Sequence, residues 1–268
     1  MNDPILRSEP SGPADVEFEP PAAQLDEGRY AVRFARDAEA LDAALRLRFE
    51  VFNVELGEGL EESWRSGRDR DAFDDVCHHL IVDHQQTGEI VGTYRLQTAA
   101  MARRSGLGFY SDGEFDLAGL PAEIVDHAIE VGRACVAFEH RNTQVLFLLW
   151  KGLALYLATH RLRYLFGCCS LTSQDPAEGW ALHRDLNAQG HVHPAIHVAP
   201  RPEVALDPVE PPSDLTIKVP KLFRTYLRHR AQVCGPPAID RDFKTIDWLV
   251  LLDVDRLDDK RRRAFFGP

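Results

Sequence analysis

The segment 130–136, which reads EVGRACV, decides the fold of this chain. Small and β-branched residues surround it over 128–138, which predicts a central β-strand. Neighbouring side chains on a strand point to opposite faces, so Glu130 and Arg133 diverge unless a bulge intervenes. A carboxylate on a central strand is costly to bury without a partner. Glu130 is therefore either a general base or one half of a structural ion pair with Arg133 or Arg95.

The segments on both sides of this strand alternate between strand and helix patterns. Residues 143–162 carry the wide apolar face of a long helix, and residues 164–171 read as a buried strand. Residues 79–83 and 90–96 form the two halves of a predicted hairpin. The remaining predicted elements are a strand at 30–35, a helix after an N-cap at Asp37, helices at 176–189 and 221–231, and a strand at 248–254. Antiparallel pairing together with crossover helices predicts a mixed α/β sheet in one domain.

Composition excludes several classes of protein. The chain has 268 residues, and 31 Lys and Arg against 42 Asp and Glu give a net charge of -11, which disfavours a general nucleic-acid binder. The longest apolar run, 145–150, is far shorter than the roughly 20 residues of a membrane-spanning helix. Five cysteines, an odd number, do not suggest a disulfide framework, so we expect a cytoplasmic protein.

Proline and charge divide the chain into regions. Residues 1–28 are rich in proline and acidic residues, and we expect them to be a disordered leader. Residues 29–268 are predicted to form a single domain. Its core would span 29–200, and a C-terminal extension, 201–268, begins with a proline-rich connection.

Several short motifs together resemble a known family. The segments 48–52, 73–74, 92–96 and 130–133 resemble the acyl-homoserine-lactone synthases, which belong to the GNAT superfamily. The resemblance is closer to the bacterial ornithine N-acyltransferases that make lyso-ornithine lipid. There it extends, in the family's order, to residues 148–153, 175–177, 219–220, 226–227, 233–235 and 243–245.

This resemblance implies a fold and an activity. The fold would be a GNAT-like N-acyltransferase fold, with a central mixed sheet flanked by helices and a C-terminal extension. The activity would transfer a long, 3-hydroxylated acyl chain to the α-amine of an amino acid, ornithine in the first place. Two alternatives stay open: a synthase of another N-acyl amino acid or of an acyl-homoserine lactone, and a non-catalytic acyl-carrier or lipid-binding module. The family usually carries an acid at the position of His78, a departure that bears on which amino acid is accepted.

The resemblance also implies catalytic residues. An amine that attacks a thioester must lose a proton, so Glu130 is the expected general base, and Arg133 would position Glu130 or an acidic residue of the irregular flap at 57–72. Backbone amides of residues 134–136 would stabilise the oxyanion, at a point where the strand separates from its neighbour.

Further residues are expected to bind the amino acid and the acyl chain. Asp71 and Asp74 would bind a cationic amino acid. Arg48 and Arg95 would either bind its carboxylate or lock the flap. Phe52 would line an acyl channel, although ordinary core packing is the alternative for any one aromatic residue.

The acyl donor is expected to be a carrier-protein thioester. Acetyl-CoA-dependent GNAT enzymes hold pyrophosphate with a Gly-rich loop, but the corresponding turn here, 139–143, contains no glycine. A phosphopantetheine arm has a single phosphate, which Arg141, Asn142 and the amides of the helix start would bind. We therefore expect acyl carrier protein as the donor, with acyl-CoA as the alternative, and no tightly bound cofactor or metal.

Basic clusters provide candidate docking surfaces for such partners. A carrier protein is strongly acidic, so an acidic enzyme needs a local basic patch, such as Lys221, Arg224 and Arg228 on one helix. The denser cluster at 260–263 would make peripheral contact with an anionic membrane. A solvated face without a partner is the alternative for each cluster.

Overall fold

The computed structural model describes residues 19–267, and the strands in this part of the chain form one mixed sheet. The strands are β1 (Leu25–Glu27), β2 (Tyr30–Phe34), β3 (His78–His84), β4 (Glu89–Thr98), β5 (Ala128–Val136), β6 (Tyr164–Leu171), β7 (Gln232–Val233), β8 (Ala238–Asp240) and β9 (Thr245–Asp253). Their order across the sheet is β1-β2-β3-β4-β5-β6-β9-β7, and β8 also pairs with β9. Every neighbouring pair is antiparallel except β5 and β6, which are parallel.

Helices flank this sheet. They are α1 (Ala38–Phe49), α2 (Ser63–Ser66), α3 (Ala99–Ser105), α4 (Ala122–Asp126), α5 (Thr143–His160), α6 (Pro176–Ala188), α7 (Lys221–Arg228) and α8 (Asp259–Phe266). The predicted N-cap is confirmed, because the Asp37 carboxylate accepts a hydrogen bond from the Ala40 amide at 2.8 Å. After α1 the chain continues as a π-helical turn, Glu50–Glu55.

Two hydrophobic cores cover the two sides of the sheet. The larger one packs α5, through residues such as Leu148 and Leu153, against Val32 and Leu80 of the first strands. Helix α5 lies between β5 and β6 in the chain and provides the crossover connection that a parallel pair of strands requires. The smaller core includes Phe115 and buries the long segment between β4 and β5.

Several elements depart from the sequence-based prediction. Residues 19–28 lie within the predicted leader, yet Leu25–Glu27 pairs with β2, and Pro21 is buried. The rest of that leader, 1–18, lies outside the described residues. The predicted C-terminal extension contributes β9, which pairs with β6 along its length, so this region completes the sheet. The sequence analysis did not predict helices α2, α3, α4 and α8, because they are short and lack a strong apolar period; α2 lies in the segment 57–72 that was expected to be irregular.

A bulge in β5 determines where its side chains point. Thr93 pairs with Cys135 and Arg95 with Gly132, so two residues of β5 lie opposite the single Tyr94 of β4. Arg133, the first of these two residues, has a backbone φ of 49°, which lies in the left-handed region that residues other than glycine rarely adopt. The simple alternation of a strand therefore fails here, as the sequence analysis allowed.

Candidate active site

A cavity of about 620 Å³ opens where β5 and β6 separate. The registered pairing of these strands ends at Glu130 with Phe166, and beyond it both strands contribute to the cavity wall. The wall is completed by the π-helical turn after α1, by the start of α5, by α7 and by the β8–β9 region. This volume lies within the range of small-molecule sites, and the position resembles a crevice at strand ends.

Glu130 borders this cavity and is only 6% exposed. Its Oε1 accepts hydrogen bonds from the Ser111 amide at 2.7 Å and the Ser111 hydroxyl at 2.5 Å, and its Oε2 accepts one from the Tyr110 amide at 2.8 Å. Burial raises the pKa of Glu130, while these hydrogen bonds and the charge of Arg95 oppose that rise. Since a carboxylate oxygen has two lone pairs, Oε2 keeps one for a proton from a ligand.

Arg48 lies outside the cavity wall, in a fully buried ion-pair network. Its guanidinium donates to Asp69 at 2.7 Å and to Asp74 at 2.7 and 3.3 Å. Burial opposes ionisation of Asp74, but Arg48 and Arg95 outweigh it and hold the pKa of Asp74 well below its usual range. These contacts fix the segment that follows α2 against α1, which corresponds to the flap-locking alternative for Arg48.

Arg95 and Arg133 continue this network and reach the cavity wall. Arg95 donates to Asp71 at 2.6 Å and to Asp74 at 3.0 Å. Arg133 donates to Asp71 at 3.1 Å, and its Nε lies 3.2 Å from Asp69. The structure thus places Arg133 against acidic residues of the flap, while Tyr110, whose ring lies 4.7 Å from its guanidinium carbon, separates it from Glu130. We call Arg48, Arg95, Arg133, Asp69, Asp71 and Asp74 together the arginine network.

Arg141 and Asn142 lie at the rim of the cavity, where α5 begins. The Asn142 side chain caps the helix, since it accepts hydrogen bonds from the Gln144 and Val145 amides. Arg141 pairs with Glu55 and donates to the Val136 carbonyl at 3.1 Å. The helix-start amides and the Arg141 cation that were expected to bind a phosphate are therefore present at the rim. The side chains of Arg141 and Asn142, however, already have hydrogen-bond partners within the protein.

The apolar part of the cavity lies beside the π-helical turn and α7. Phe52 lines it and packs edge-on against Phe243, with ring centroids 5.5 Å apart. Leu149 of α5 and Leu222 of α7 line the same part. This surface can accept a hydrocarbon chain next to the polar groups on β5.

His78, the position at which the family usually carries an acid, does not line the cavity. Its Nδ1 lies 3.0 Å from the Tyr156 hydroxyl, and burial lowers the pKa of His78 to about 4. The ring is therefore neutral at physiological pH and takes part in packing beneath the sheet.

Sequence reasoning missed a second group of acidic residues at the cavity. Glu114, Asp240 and Asp247 place one carboxylate oxygen each within 4.8 Å of one another, and Asp240 and Asp247 line the cavity. We call these three residues the acidic cluster. It is the only such grouping of potential metal ligands in the described part of the chain. One signal was available, because Asp247 directly precedes the apolar run 248–252 and a carboxylate there is unusual.

No helix among residues 19–267 is long and apolar enough to span a membrane.

Comparisons with known proteins address the identity of this fold and site. The family description "Acetyltransferase (GNAT) domain" matches residues 47–151. The chain is 36% identical over 245 residues to the L-ornithine N(alpha)-acyltransferase of Agrobacterium fabrum, covering 86% of this chain and 83% of that protein. The chain belongs to the L-ornithine N(alpha)-acyltransferase family. A second member, from Brucella abortus, is 33% identical over 271 residues, covering 90% of this chain and 89% of the relative.

Membership of the L-ornithine N(alpha)-acyltransferase family confirms the resemblance inferred from the motifs, and the GNAT match confirms the predicted fold class. Among solved structures, the AHL synthase LasI is similar, with a TM-score of 0.46 and 11% identity over 89% of this chain and 95% of that chain.

Proposed function

We propose that this protein transfers a long, 3-hydroxylated acyl chain from the phosphopantetheine thioester of acyl carrier protein to the α-amine of ornithine. The relatives named for ornithine N(alpha)-acylation support the acceptor. One structural observation carries the chemistry: a buried carboxylate with a free lone pair, Glu130, borders a cavity that also has an apolar side. That combination provides a base for an amine next to a place for a lipid chain.

The proposed reaction begins with the α-ammonium group next to Glu130. Glu130 takes a proton, directly or through one water, and the free amine attacks the thioester carbonyl. The new C–N bond gives a tetrahedral oxyanion, which backbone amides of residues 134–136 stabilise, where β5 has left its pairing with β6. The C–S bond then breaks as the carbonyl re-forms, the thiolate takes up a proton, and the nitrogen gives up its second proton, which returns through water to the group that protonated the thiolate. The products are the neutral amide and the free carrier thiol.

We propose Tyr94 as the acid that donates a proton to the leaving thiolate. It lines the cavity directly opposite the β5 bulge, whereas Tyr156 lies outside the wall and contacts His78. The Tyr94 hydroxyl lies 3.0 Å from the Tyr226 hydroxyl of α7. Burial raises the pKa of Tyr94, so the phenol is protonated at the start of the reaction.

For the remaining site residues we propose the roles that the sequence analysis suggested, changed only where the observed contacts require it. Arg95 lines the cavity and is the better placed of the two arginines for a substrate carboxylate, since Arg48 is buried outside it. Arg133 positions the flap through Asp71, and Phe52 borders the acyl chain.

Carrier-protein docking is supported by the surroundings of the cavity mouth. Helix α7 forms part of the wall and carries the exposed Lys221 and Arg228, with the half-exposed Arg224. An acidic carrier protein bound to α7 would place its pantetheine arm at the start of α5, next to Arg141 and Asn142. For α8, which carries Lys260, Arg262 and Arg263 on its exposed side, we retain the proposal of peripheral contact with anionic lipid.

The experiment that tests the function supplies purified protein with 3-hydroxyacyl carrier protein and ornithine, and measures N-acylornithine by mass spectrometry. Glu130→Gln, which keeps the shape of the side chain, should lower kcat by about 10²–10⁴-fold while binding of the acyl donor is retained. Formation of another N-acyl amino acid, or of an acyl-homoserine lactone, would instead identify a different synthase. Unchanged turnover in the Gln variant would remove Glu130 from its role, and donor binding without any product would indicate a binding module.

A further inference from the structure

The acidic cluster has no cationic partner in the described chain. None of its members, Glu114, Asp240 or Asp247, forms an ion pair with a lysine or arginine there. Asp247 is 3% exposed, and its Oδ1 is buried without a hydrogen-bond donor. Burying charged carboxylates without an ion-pair partner is costly, so the cluster is suited to bind a cation.

The other acidic group near the cavity is already neutralised. In the arginine network three guanidinium groups face three aspartates, so that its charges cancel. Asp71 and Asp74, which the sequence suggested for a cationic substrate, therefore have their counter-charges within the protein. The acidic groups at the cavity without a lysine or arginine partner in the described chain are therefore the acidic cluster, Glu130 and Glu58, and only the cluster brings three carboxylates together.

We propose that the acidic cluster binds the side-chain ammonium group of the diamino acid acceptor and thereby selects ornithine over neutral amino acids. This inference rests on the proposed function. An ammonium group has three N–H donors, and the cluster supplies three carboxylates whose oxygens lie close enough to share it. Charge-assisted hydrogen bonds of this kind are about twice as strong as neutral ones.

The distance from the catalytic carboxylate fits this acceptor. Ser111 Oγ lies 2.5 Å from Glu130 Oε1 and 3.5 Å from Cys168 Sγ, which lies 3.8 Å from Glu114 Oε2. Glu130 and the cluster are therefore separated by less than about 10 Å along this path. The two nitrogens of an extended ornithine are about 6 Å apart, and a hydrogen bond of about 2.8 Å at each end brings the span to about 12 Å, so the ornithine side chain would bend at one or more torsions to fit the shorter separation.

The titration of the cluster agrees with this geometry. Burial raises the pKa of Glu114, and the neighbouring Asp247 and Asp240 raise it further. Burial also raises the pKa of Asp247 to about 6. Glu114 and Asp247 thus tend to hold protons when no cation is bound, and a bound ammonium group would replace those protons and favour the charged carboxylates.

The test compares ornithine with norleucine, in which a methyl group stands where ornithine has its ammonium group. For Asp247→Asn and, separately, Asp240→Asn, the ratio of kcat/KM for ornithine to kcat/KM for norleucine should fall about 10–100-fold, mainly through a higher KM for ornithine. Asp242→Asn is the matched control, because Asp242 is exposed in the neighbouring β8–β9 turn, and its ratio should stay that of the wild type. Binding of ornithine by calorimetry, without any acyl donor, should weaken in the same two variants.

The outcomes separate this inference from the proposed function. If the wild type makes N-acylornithine and both variants keep its preference for ornithine, the cluster has no part in selecting the acceptor. Stabilisation of the wild type by Mg²⁺ or Ca²⁺ alone, lost in Asp247→Asn, together with an unchanged preference, would identify a metal site instead. Absence of N-acylornithine with the wild type would refute the proposed function before the variants are compared.

Discussion

Replacing Asp247 with asparagine should stabilise the substrate-free protein at neutral pH. The carboxyl is buried, and burial raises its pKa from 3.8 to about 6 in the folded protein. Because the folded pKa lies above the unfolded one, the carboxyl costs nothing below about pH 4, and its cost appears as the pH rises through 6. A shift of this size is worth about 3 kcal/mol once the group is ionised.

Asparagine has the same shape but carries no charge, so the variant avoids this cost at every pH. The difference in the free energy of unfolding between the variant and the wild type should grow from near zero at pH 4 to about 3 kcal/mol at pH 8. In thermal unfolding followed by circular dichroism, this corresponds to a Tm roughly 6–9 °C higher at pH 8.

Asp242→Asn removes the same charge from an exposed position and should leave the Tm within about 1 °C of the wild type at both pH values. A stabilisation of Asp247→Asn that is equal at pH 5 and pH 8 would refute the reasoning, because it could not come from ionisation. A variant less stable than the wild type at pH 8 would show that the carboxylate is satisfied in the empty protein.

Three further changes test other parts of the structure. Arg48→Ala leaves two buried carboxylates without their main partner and should lower the free energy of unfolding by about 3–5 kcal/mol in urea titrations; a loss below 1 kcal/mol would mean that the network is not internally compensated. Gly167→Ala would place its Cβ 2.2 Å from the Val131 carbonyl oxygen, so it should cost about 1–3 kcal/mol and reduce turnover by disturbing the strands that frame the cavity; wild-type values for both would contradict this. The double variant Arg224→Glu, Arg228→Glu should weaken carrier-protein binding more than tenfold at low salt and less at high salt, and unchanged affinity would exclude α7 as the docking surface.

Local sequence signals were sufficient for the long elements of the fold. The predicted strand at 164–171 matches β6, and the helix predicted from 143 begins there, because Asn142 caps it and the apolar run starts immediately. Strands β7 and β8 contain two and three residues and form by pairing with β9 and by single bridges to Val192 and Ala205. Nothing in the sequences of β7 and β8 indicates that pairing, so these two strands could not be predicted.

The face to which Arg133 points could not be decided from its own strand. Alternation places it opposite Glu130, but the bulge depends on the register between β4 and β5, which is set by contacts distant in sequence. The structure places both residues around Tyr110, whose amide donates to Glu130 and whose ring lies under the Arg133 guanidinium. The structural ion pair considered between Glu130 and Arg133 is therefore replaced by separate contacts to one neighbour.

The division of charge around the cavity would allow an acidic protein to bind both of the partners proposed above, an acidic carrier and a cationic amino acid. The arginine network is neutral as a unit, so it fixes the flap without adding net charge to the cavity. The acidic cluster contributes Asp240 and Asp247 to the cavity wall, and α7, which forms another part of that wall, carries exposed cations. Acidic and basic groups thus belong to different parts of one cavity wall, and in the proposed function the acidic groups would bind the cationic side chain and the basic ones the carrier protein. The buried carboxylates of the acidic cluster would lower the stability of the substrate-free protein, which is a common cost of a binding site that holds unpaired charge.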